Sequence, residues 1–393
     1  MPDEEEKQVL NVGIVGFGMI GKVHAYAYAA LPYYLDTQAL SRRPRVAAVA
    51  TARTRTAELA RRTIGCARAV TDWRQITEDP AIDIVHICVP NGEHLSVLLS
   101  AIENNKAIYC EKPLVSTIQE ARQVEETLER TGYQMTNQMA FHLRHFPAVR
   151  RAKQLIDEGR LGSIFQYRVH YLHSSSTDGN APFKWKHAAG GGTLLDLGSH
   201  LLDLIDYLVG SPCELLAESQ RAFAARPVPG APGASLPVVT EDAVTILTRG
   251  SAFDGGSPCR GLIEATKLAT GREDELELEI SGQKGALRFS LLDPHYVDFY
   301  DANAGNRPLG GQAGWLRIAS GARVEPPRLS FPSPKSSVGW LRGHIDALSN
   351  FLLAFSRHES AQPDLRQGIK IQRLLDAAAE SANRREWIDV RER

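Results

Sequence analysis

The chain is 393 residues long, with 45 Lys plus Arg against 46 Asp plus Glu and a formal net charge of −1. That length accommodates two domains with full cores, and the balanced, dispersed charge leaves no electrostatic footprint for nucleic acid. No apolar run approaches the roughly eighteen residues that a membrane span needs.

The first residues, 1–7, are polar and acidic, the reverse of a secretory leader. An apolar β-type run follows over 11–15 and leads into Gly16-Phe17-Gly18-Met19-Ile20-Gly21 and a helical stretch, 22–30. Strand, G-x-G-x-x-G and helix in immediate succession form a dinucleotide fingerprint. Gly16 permits the tight turn, Gly18 lets the backbone approach a pyrophosphate, and Gly21 lets helix and strand pack closely. The pyrophosphate would rest on N–H groups at the helix start; a glycine turn without a ligand is the alternative.

The stretch 31–43 is longer than an ordinary connection and is placed as one that can reach over a site. The second strand, 45–51, ends where such folds choose their cofactor. An acid there holds the ribose 2′-hydroxyl of NAD, and an arginine accommodates the 2′-phosphate of NADP. Here Thr51, Arg53 and Arg55 come first and the first carboxylate is Glu58, which favours NADP, with NAD as the alternative. Otherwise these arginines merely begin a solvated helix.

Strands over 82–89, 107–110 and 133–137 continue the alternation with amphipathic helices, giving an α/β Rossmann (doubly wound parallel) sheet through residue 138. Cys110-Glu111-Lys112-Pro113 closes one of them, so Lys112 stands at the carboxyl edge where open α/β sheets bind ligands. A lone lysine at such an edge is otherwise a solvated charge. Thr117 and Glu120 form a capping box for the next helix.

From 139 to 393 the pattern is that of an α+β domain. A helix over 147–158 ends at Gly159, and period-2 strands follow over 163–173, 243–249, 261–268, 275–281 and 286–291. Such alternation indicates a large, mainly antiparallel open sheet with one wetter face. The segments 224–238 and 301–337 read as surface loops, and a last helix spans 365–382. Between the first of these strands and the rest lies a helix over 190–208, containing "GGGTLLDLGSHLLD". Asp196, His200 and Asp203 fall near one of its faces. An imidazole beside carboxylates is what proton transfer to or from a hydroxyl needs, and a satisfied histidine on an amphipathic helix is the alternative. Asp203 reads as a structural carboxylate. The five cysteines have no C-x-x-C spacing, which suits a reducing cytoplasm, and the 12 histidines form no H-E-x-x-H cluster, so no metal is expected.

Four stretches in order resemble the Gfo/Idh/MocA oxidoreductases, the family of glucose–fructose oxidoreductase, inositol dehydrogenase and rhizopine catabolism. They are the fingerprint, "VPNGEH" from Val89, "CEKPL" from Cys110, and the 190–203 run; weaker matches from Arg144, from Ala265 and over the last helix fill most of the rest. The resemblance implies hydride transfer between NAD(P) and a secondary alcohol or ketone of a sugar, sugar derivative or cyclitol. It implies Lys112, Asp196 and His200 as the catalytic set, in contact with substrate, without settling whether Lys112 or His200 moves the proton. Pro90, Asn91 and His94 match a contact to the nicotinamide end of the cofactor, and Glu111 and Lys112 are implied to bind the cofactor as well. Arg144 matches a family arginine near the substrate, although His142 replaces the usual asparagine two residues before it. Trp185 and Lys186 stand where relatives carry a sugar-binding Trp–Arg pair. A homodimer or homotetramer, and a last helix packed near the first domain, are implied in the same way. The 31–43 insertion and the "ATGR" strand resemble members acting on anhydrosugars and glycosides. Two other readings stand beside this one: a non-catalytic dinucleotide sensor, and a redox-neutral hydrolase or epimerase that retains its cofactor.

Overall fold

Strand β1 (Val9–Val15) is central to a six-stranded parallel sheet that also contains β2 (Arg43–Ala50), β3 (Arg68–Val70), β4 (Ile84–Ile87), β5 (Ala107–Cys110) and β6 (Asn137–Met139). The order is β3-β2-β1-β4-β5-β6, which places the reversal of winding between β1 and β4, where doubly wound sheets open a ligand crevice. All four residues of β4 are buried, which explains its continuous apolar character despite His86. In the computed structural model the described residues are 9–35, 40–184, 187–188, 190–252, 258–305, 311, 313–321, 331–333 and 335–391.

Helices α1 (Met19–Tyr34), α2 (Thr54–Ile64), α3 (Arg74–Thr77), α4 (Asn91–Glu103) and α5 (Ile118–Thr131) connect the strands. Helix α1 continues through Pro32, so residues 31–34 are its last turn and not part of a loop; residues 36–39 lie outside the described ones. The expected capping box is present: Glu120 N–H donates to the Thr117 hydroxyl at 3.2 Å, and Thr117 N–H donates to the Glu120 carboxylate at 3.1 Å. Strand β6 starts where 133–137 was expected to end. Tyr133 is instead anchored outside the sheet, its hydroxyl donating to the Lys106 carbonyl at 2.6 Å.

A second sheet has nine strands in the order β16-β15-β14-β13-β7-β12-β11-β8-β17. Its members are β7 (Ile164–Leu172), β8 (Glu214–Gln220), β11 (Ala243–Ala252), β12 (Pro258–Thr266), β13 (Glu275–Gly282), β14 (Gly285–Ser290), β15 (Tyr296–Asp301), β16 (Trp315–Ala319) and β17 (Ile388–Asp389). Only β7 and β12 run parallel; the remaining neighbours are antiparallel. Burial alternates along β12, as one covered face requires. The segments expected as loops are not plain loops. Strands β9 (Ala225–Pro227) and β10 (Ser235–Pro237) make a hairpin within 224–238, and β16 lies within 301–337. A 3-10 turn (His142–His145) precedes α6 (Pro147–Asp157), and a π-helical turn (Leu194–Gly198) precedes α7 (Ser199–Leu208). The chain closes with α8 (Leu341–Arg357) and α9 (Leu365–Arg384).

The residues cluster into two units. One comprises Met1–His142, Leu329–Pro334 and Leu341–Gln372, the other Leu143–Arg328, Lys335–Trp340 and Arg373–Arg393. The first unit thus takes in α8 and the start of α9 beside the residues through 142. In that unit Ala27, Tyr28 and Leu31 of α1 and Leu10, Val12 and Ile84 of the sheet share a core with Ile345, Leu348, Phe351 and Leu352 of α8. No helix among the described residues is long and apolar enough to cross a membrane.

Candidate active site

On the first unit, each fingerprint glycine has a distinct steric role. Gly16 has φ +97°, and a Cβ there would lie 2.4 Å from the Cys88 carbonyl oxygen. A Cβ on Gly21 would lie 2.3 Å from the Gly16 carbonyl oxygen, so helix and turn touch backbone to backbone. A Cβ on Gly18 would meet nothing within 4 Å. Helix α1 has no side-chain cap and no acid in its first turn, so its leading N–H groups offer an anion site that no acid of its own first turn fills. Phe17 and Ile20 pack against the cluster around Ile14 and Val49, while Met19 is exposed. These features fit a dinucleotide pyrophosphate.

At the end of β2 the Thr51 and Thr56 hydroxyls lie 2.7 Å apart, and both donate to the Arg53 carbonyl. Arg53 and Arg55 are exposed and make no ion pair among the described residues. Glu58, by contrast, accepts from Arg61 at 2.8 Å and from Arg62 at 2.9 Å, which holds its carboxyl down at about 2.

Past β4, exposed Pro90 caps α4 and buried Asn91 begins it. His94 is buried with Nδ1 2.9 Å from the Pro113 carbonyl oxygen and Nε2 2.9 Å from that of Val89. Both ring nitrogens thus face backbone, and the ring ties α4 to the turn after β5. Burial draws its pKa below the usual value, against the carbonyls, which favour the charged ring. Glu111 is also buried, accepting from His24 Nε2 at 3.0 Å and from the Lys112 N–H at 3.2 Å. Burial disfavours the charged form of either partner. Cys88 and Glu111 raise His24 well above the usual imidazole range, and His24 holds Glu111 below the usual carboxylate range. The network continues from His24 Nδ1 to His86 Nδ1 at 3.0 Å, and from His86 Nε2 to the Tyr28 hydroxyl at 2.7 Å. Burial, then the charge on His24, keeps His86 neutral. Lys112 is half-buried directly after Glu111.

On the second unit, the 190–203 run is not one regular helix. The Glu241 carboxylate accepts from the Leu194 N–H at 2.7 Å, and a Cβ on Gly192 would lie 2.2 Å from that carboxylate, so a side chain there would displace the Glu241 tip from this bond. The wider π turn carries Asp196, and α7 begins three residues later with buried His200 in its first turn. Asp196 Oδ2 lies 2.8 Å from Lys267 Nζ. The His200 ring is edge-on to Tyr171, with centroids 6.2 Å apart. The Tyr171 hydroxyl donates to Asp274 at 2.7 Å, and His173 Nε2 is 3.3 Å from the same carboxylate. Burial would raise Asp274, but those two donors hold it below its ordinary value. Arg144 grips Asp203 with two bonds of 2.6 Å.

The chain matches the "Oxidoreductase family, NAD-binding Rossmann fold" pattern over residues 10–139 and the "GFO/IDH/MocA C-terminal domain" pattern over 149–288. It is 32% identical over 400 residues to levoglucosan dehydrogenase of Pseudarthrobacter phenanthrenivorans, covering 98% of both chains. The chain belongs to the GFO/IDH/MocA oxidoreductase family. A solved complex of levoglucosan dehydrogenase with NADH and levoglucosan superposes with a TM-score of 0.89 at 31% identity, over 98% of this chain and 100% of that one. A second curated relative, the NADP(+)-dependent scyllo-inositol 2-dehydrogenase of Bacillus subtilis, is 30% identical over 204 residues, 52% of each chain.

As a GFO/IDH/MocA member the protein is an oxidoreductase acting on CH–OH groups, with a nicotinamide-dinucleotide-binding Rossmann domain. Asp196 and His200 lie in successive turns of one unit, and Glu111 and Lys112 follow β5 in the other. His94 and Glu111 turn inward, onto backbone and His24, and Asp203 occupies Arg144. Trp185 and Lys186 lie outside the described residues. Lys267, Glu241, Tyr171, Asp274 and His24 were not singled out from sequence. His24 carries a local signal, a lone imidazole on the apolar side of the helix three residues after Gly21.

Proposed function

We propose that this protein is an NADP-preferring dehydrogenase of uncharged sugar rings or cyclitols, interconverting a ring secondary alcohol and its ketone. One observation carries the reading: the π turn and the first turn of α7 present a carboxylate and an imidazole, Asp196 and His200, four residues apart at a glycine-rich entry. Levoglucosan and scyllo-inositol, named for the relatives, belong to the same chemical class. Lys267 and Arg144 are each held by a carboxylate, which favours a neutral substrate over a sugar acid or phosphate.

When bound, the nicotinamide supplies or accepts the hydride at the carbinol carbon. His200 takes the hydroxyl proton at a ring nitrogen, since imidazole titrates near neutrality. Lys112 donates from Nζ to the same oxygen and favours its developing negative charge, or moves the proton itself. Asp196 accepts from a neighbouring substrate hydroxyl and orients the ring. Exposed Arg53 and Arg55, with Thr51, receive a 2′-phosphate, while Asn91 and the Pro90 backbone hold the nicotinamide side. The five free cysteines fit the cytoplasm, and the wide second sheet fits a homo-oligomer.

The test is titration with NADPH and NADH, then a panel of sugars and polyols read at the nicotinamide absorbance. Tight NADPH binding and turnover on one polyol class are expected. Lys112→Ala and His200→Ala should each lower kcat by about a hundredfold with dinucleotide affinity unchanged. Tight binding with no turnover across the panel overturns the enzyme reading in favour of a sensor, and near-normal turnover by both variants overturns the residue roles.

A further inference from the structure

We propose that Lys267 is a positioning residue of the active site, acting through Asp196. Strand β12 ends at Thr266, and the next residue is fixed by its backbone: Lys267 N–H donates to the Asp242 carbonyl at 2.8 Å, and its own carbonyl accepts from Ser176 N–H at 2.9 Å. The side chain extends from this anchored point into the unit, where only 6% of it is exposed, and ends 2.8 Å from Asp196 Oδ2. Asp196 is its only carboxylate partner among the described residues.

The pair is asymmetric. Asp196 keeps 32% of its side chain exposed, so a buried cation fixes one carboxylate oxygen while part of the group still faces outward. Three consequences follow. The ammonium holds one Asp196 oxygen in a charge-assisted contact. It selects one rotamer in a π turn whose widened backbone would otherwise leave the side chain freer. It also offsets the carboxylate's charge, so a neutral hydroxyl meets a directed acceptor and not a bare anion. Lys267 reaches Asp196 from the end of β12, far along the chain from the π turn.

The inference rests on Asp196 acting on the substrate, and the experiment separates the two ideas. Lys267→Met, Lys267→Arg, Asp196→Asn and the Asp196→Asn/Lys267→Met double variant of the full chain are assayed for kcat, KM and dinucleotide Kd, using the polyol that the wild type turns over best. Lys267→Met should lower kcat by about tenfold to a hundredfold, as misplacing a reacting group by an ångström does, with dinucleotide Kd unchanged. Lys267→Arg, which restores the cation, should recover most of that loss. In the Asp196→Asn background, Lys267→Met should cost less than about a further twofold, since its route is already gone. A wild-type kcat in Lys267→Met, or losses that multiply in the double variant, overturns the inference alone. A wild-type kcat in Asp196→Asn overturns both it and the proposed site. If Lys267→Met does not accumulate, Lys267→Gln is compared with Lys267→Arg by the same criteria.

Discussion

Replacing Arg144 by methionine tests whether this arginine holds the second unit together or meets the substrate, as its sequence motif suggests. Its guanidinium makes two 2.6 Å bonds to the Asp203 carboxylate and one of 3.3 Å to the Asp203 carbonyl, and it lies 3.8 Å from Asp206. The Arg144 and Asp203 side chains are 10% and 1% exposed, and the guanidinium carbon sits 4.9 Å from the Tyr207 ring centroid. Methionine keeps the length and removes the charge, leaving a carboxylate in an almost dry site. Breaking a buried pair in this way costs about 3–5 kcal/mol. Loss of the cation–π contact adds about 1 kcal/mol, and the buried thioether returns about 1–2 kcal/mol. A net loss of about 2–5 kcal/mol remains, or roughly 10 °C in Tm for a unit of this size. Asp203→Leu should cost less, because Asp206 remains as a partner for Arg144. The double variant should fall short of the sum by about 2 kcal/mol. Thermal scanning and substrate KM are the assays. A Tm within about 2 °C of wild type together with a tenfold rise in KM would refute the structural role and return Arg144 to the substrate.

Removing both Arg53 and Arg55 as alanines should lower kcat/KM for NADP by about tenfold to a hundredfold and leave that for NAD nearly unchanged; equal losses with the two cofactors would refute the phosphate pocket. Gly18→Ala should keep the wild-type Tm, because its Cβ enters open space, yet weaken dinucleotide binding about tenfold, whereas Gly21→Ala should lower both. If Gly18→Ala binds dinucleotide normally, the pyrophosphate does not approach there. His24, raised in the folded state from 6.5, contributes stability that is full below pH 6.5 and lost as pH rises toward its folded value, while Glu111, lowered from 4.5, contributes above pH 4.5 and loses it on acidification. The Tm gap between wild type and His24→Gln should therefore be widest near pH 6 and narrow by pH 10; a constant gap would show that the pair does not titrate this way.

The parts legible in sequence were those set by local sterics. Gly16, Gly18 and Gly21 declared the fingerprint by their spacing within one strand–turn–helix, where Gly16 takes a positive φ, Gly18 leaves open space and Gly21 touches the Gly16 carbonyl. Thr117 and Glu120 declared a helix start because both halves of the box lie within one turn. The parts that escaped depend on distant partners. β6 sits where it does because Met139 N–H reaches the Pro363 carbonyl at 2.7 Å and Gln138 reaches the Ala347 carbonyl at 2.9 Å, contacts no periodicity reveals. Helical spacing put Asp196, His200 and Asp203 on one face, but the π turn breaks the phase, and Lys267 and Arg144 take the two acids separately. Proline and glycine in 224–238 hid a hairpin whose strands are only three residues each.

The return of α8 to the first unit limits how this gene can be recombined. A cut after residue 142 would carry every strand of the Rossmann sheet and the whole fingerprint. It would nevertheless strip Ile345, Leu348, Phe351 and Leu352 from the face made by Ala27, Leu31 and Val12, exposing apolar surface that a solitary fragment would cover by aggregating. An exchange of the amino-terminal third between relatives therefore sets a new α1 and sheet face against the recipient's 341–372 segment, and moving both stretches together keeps this core intact.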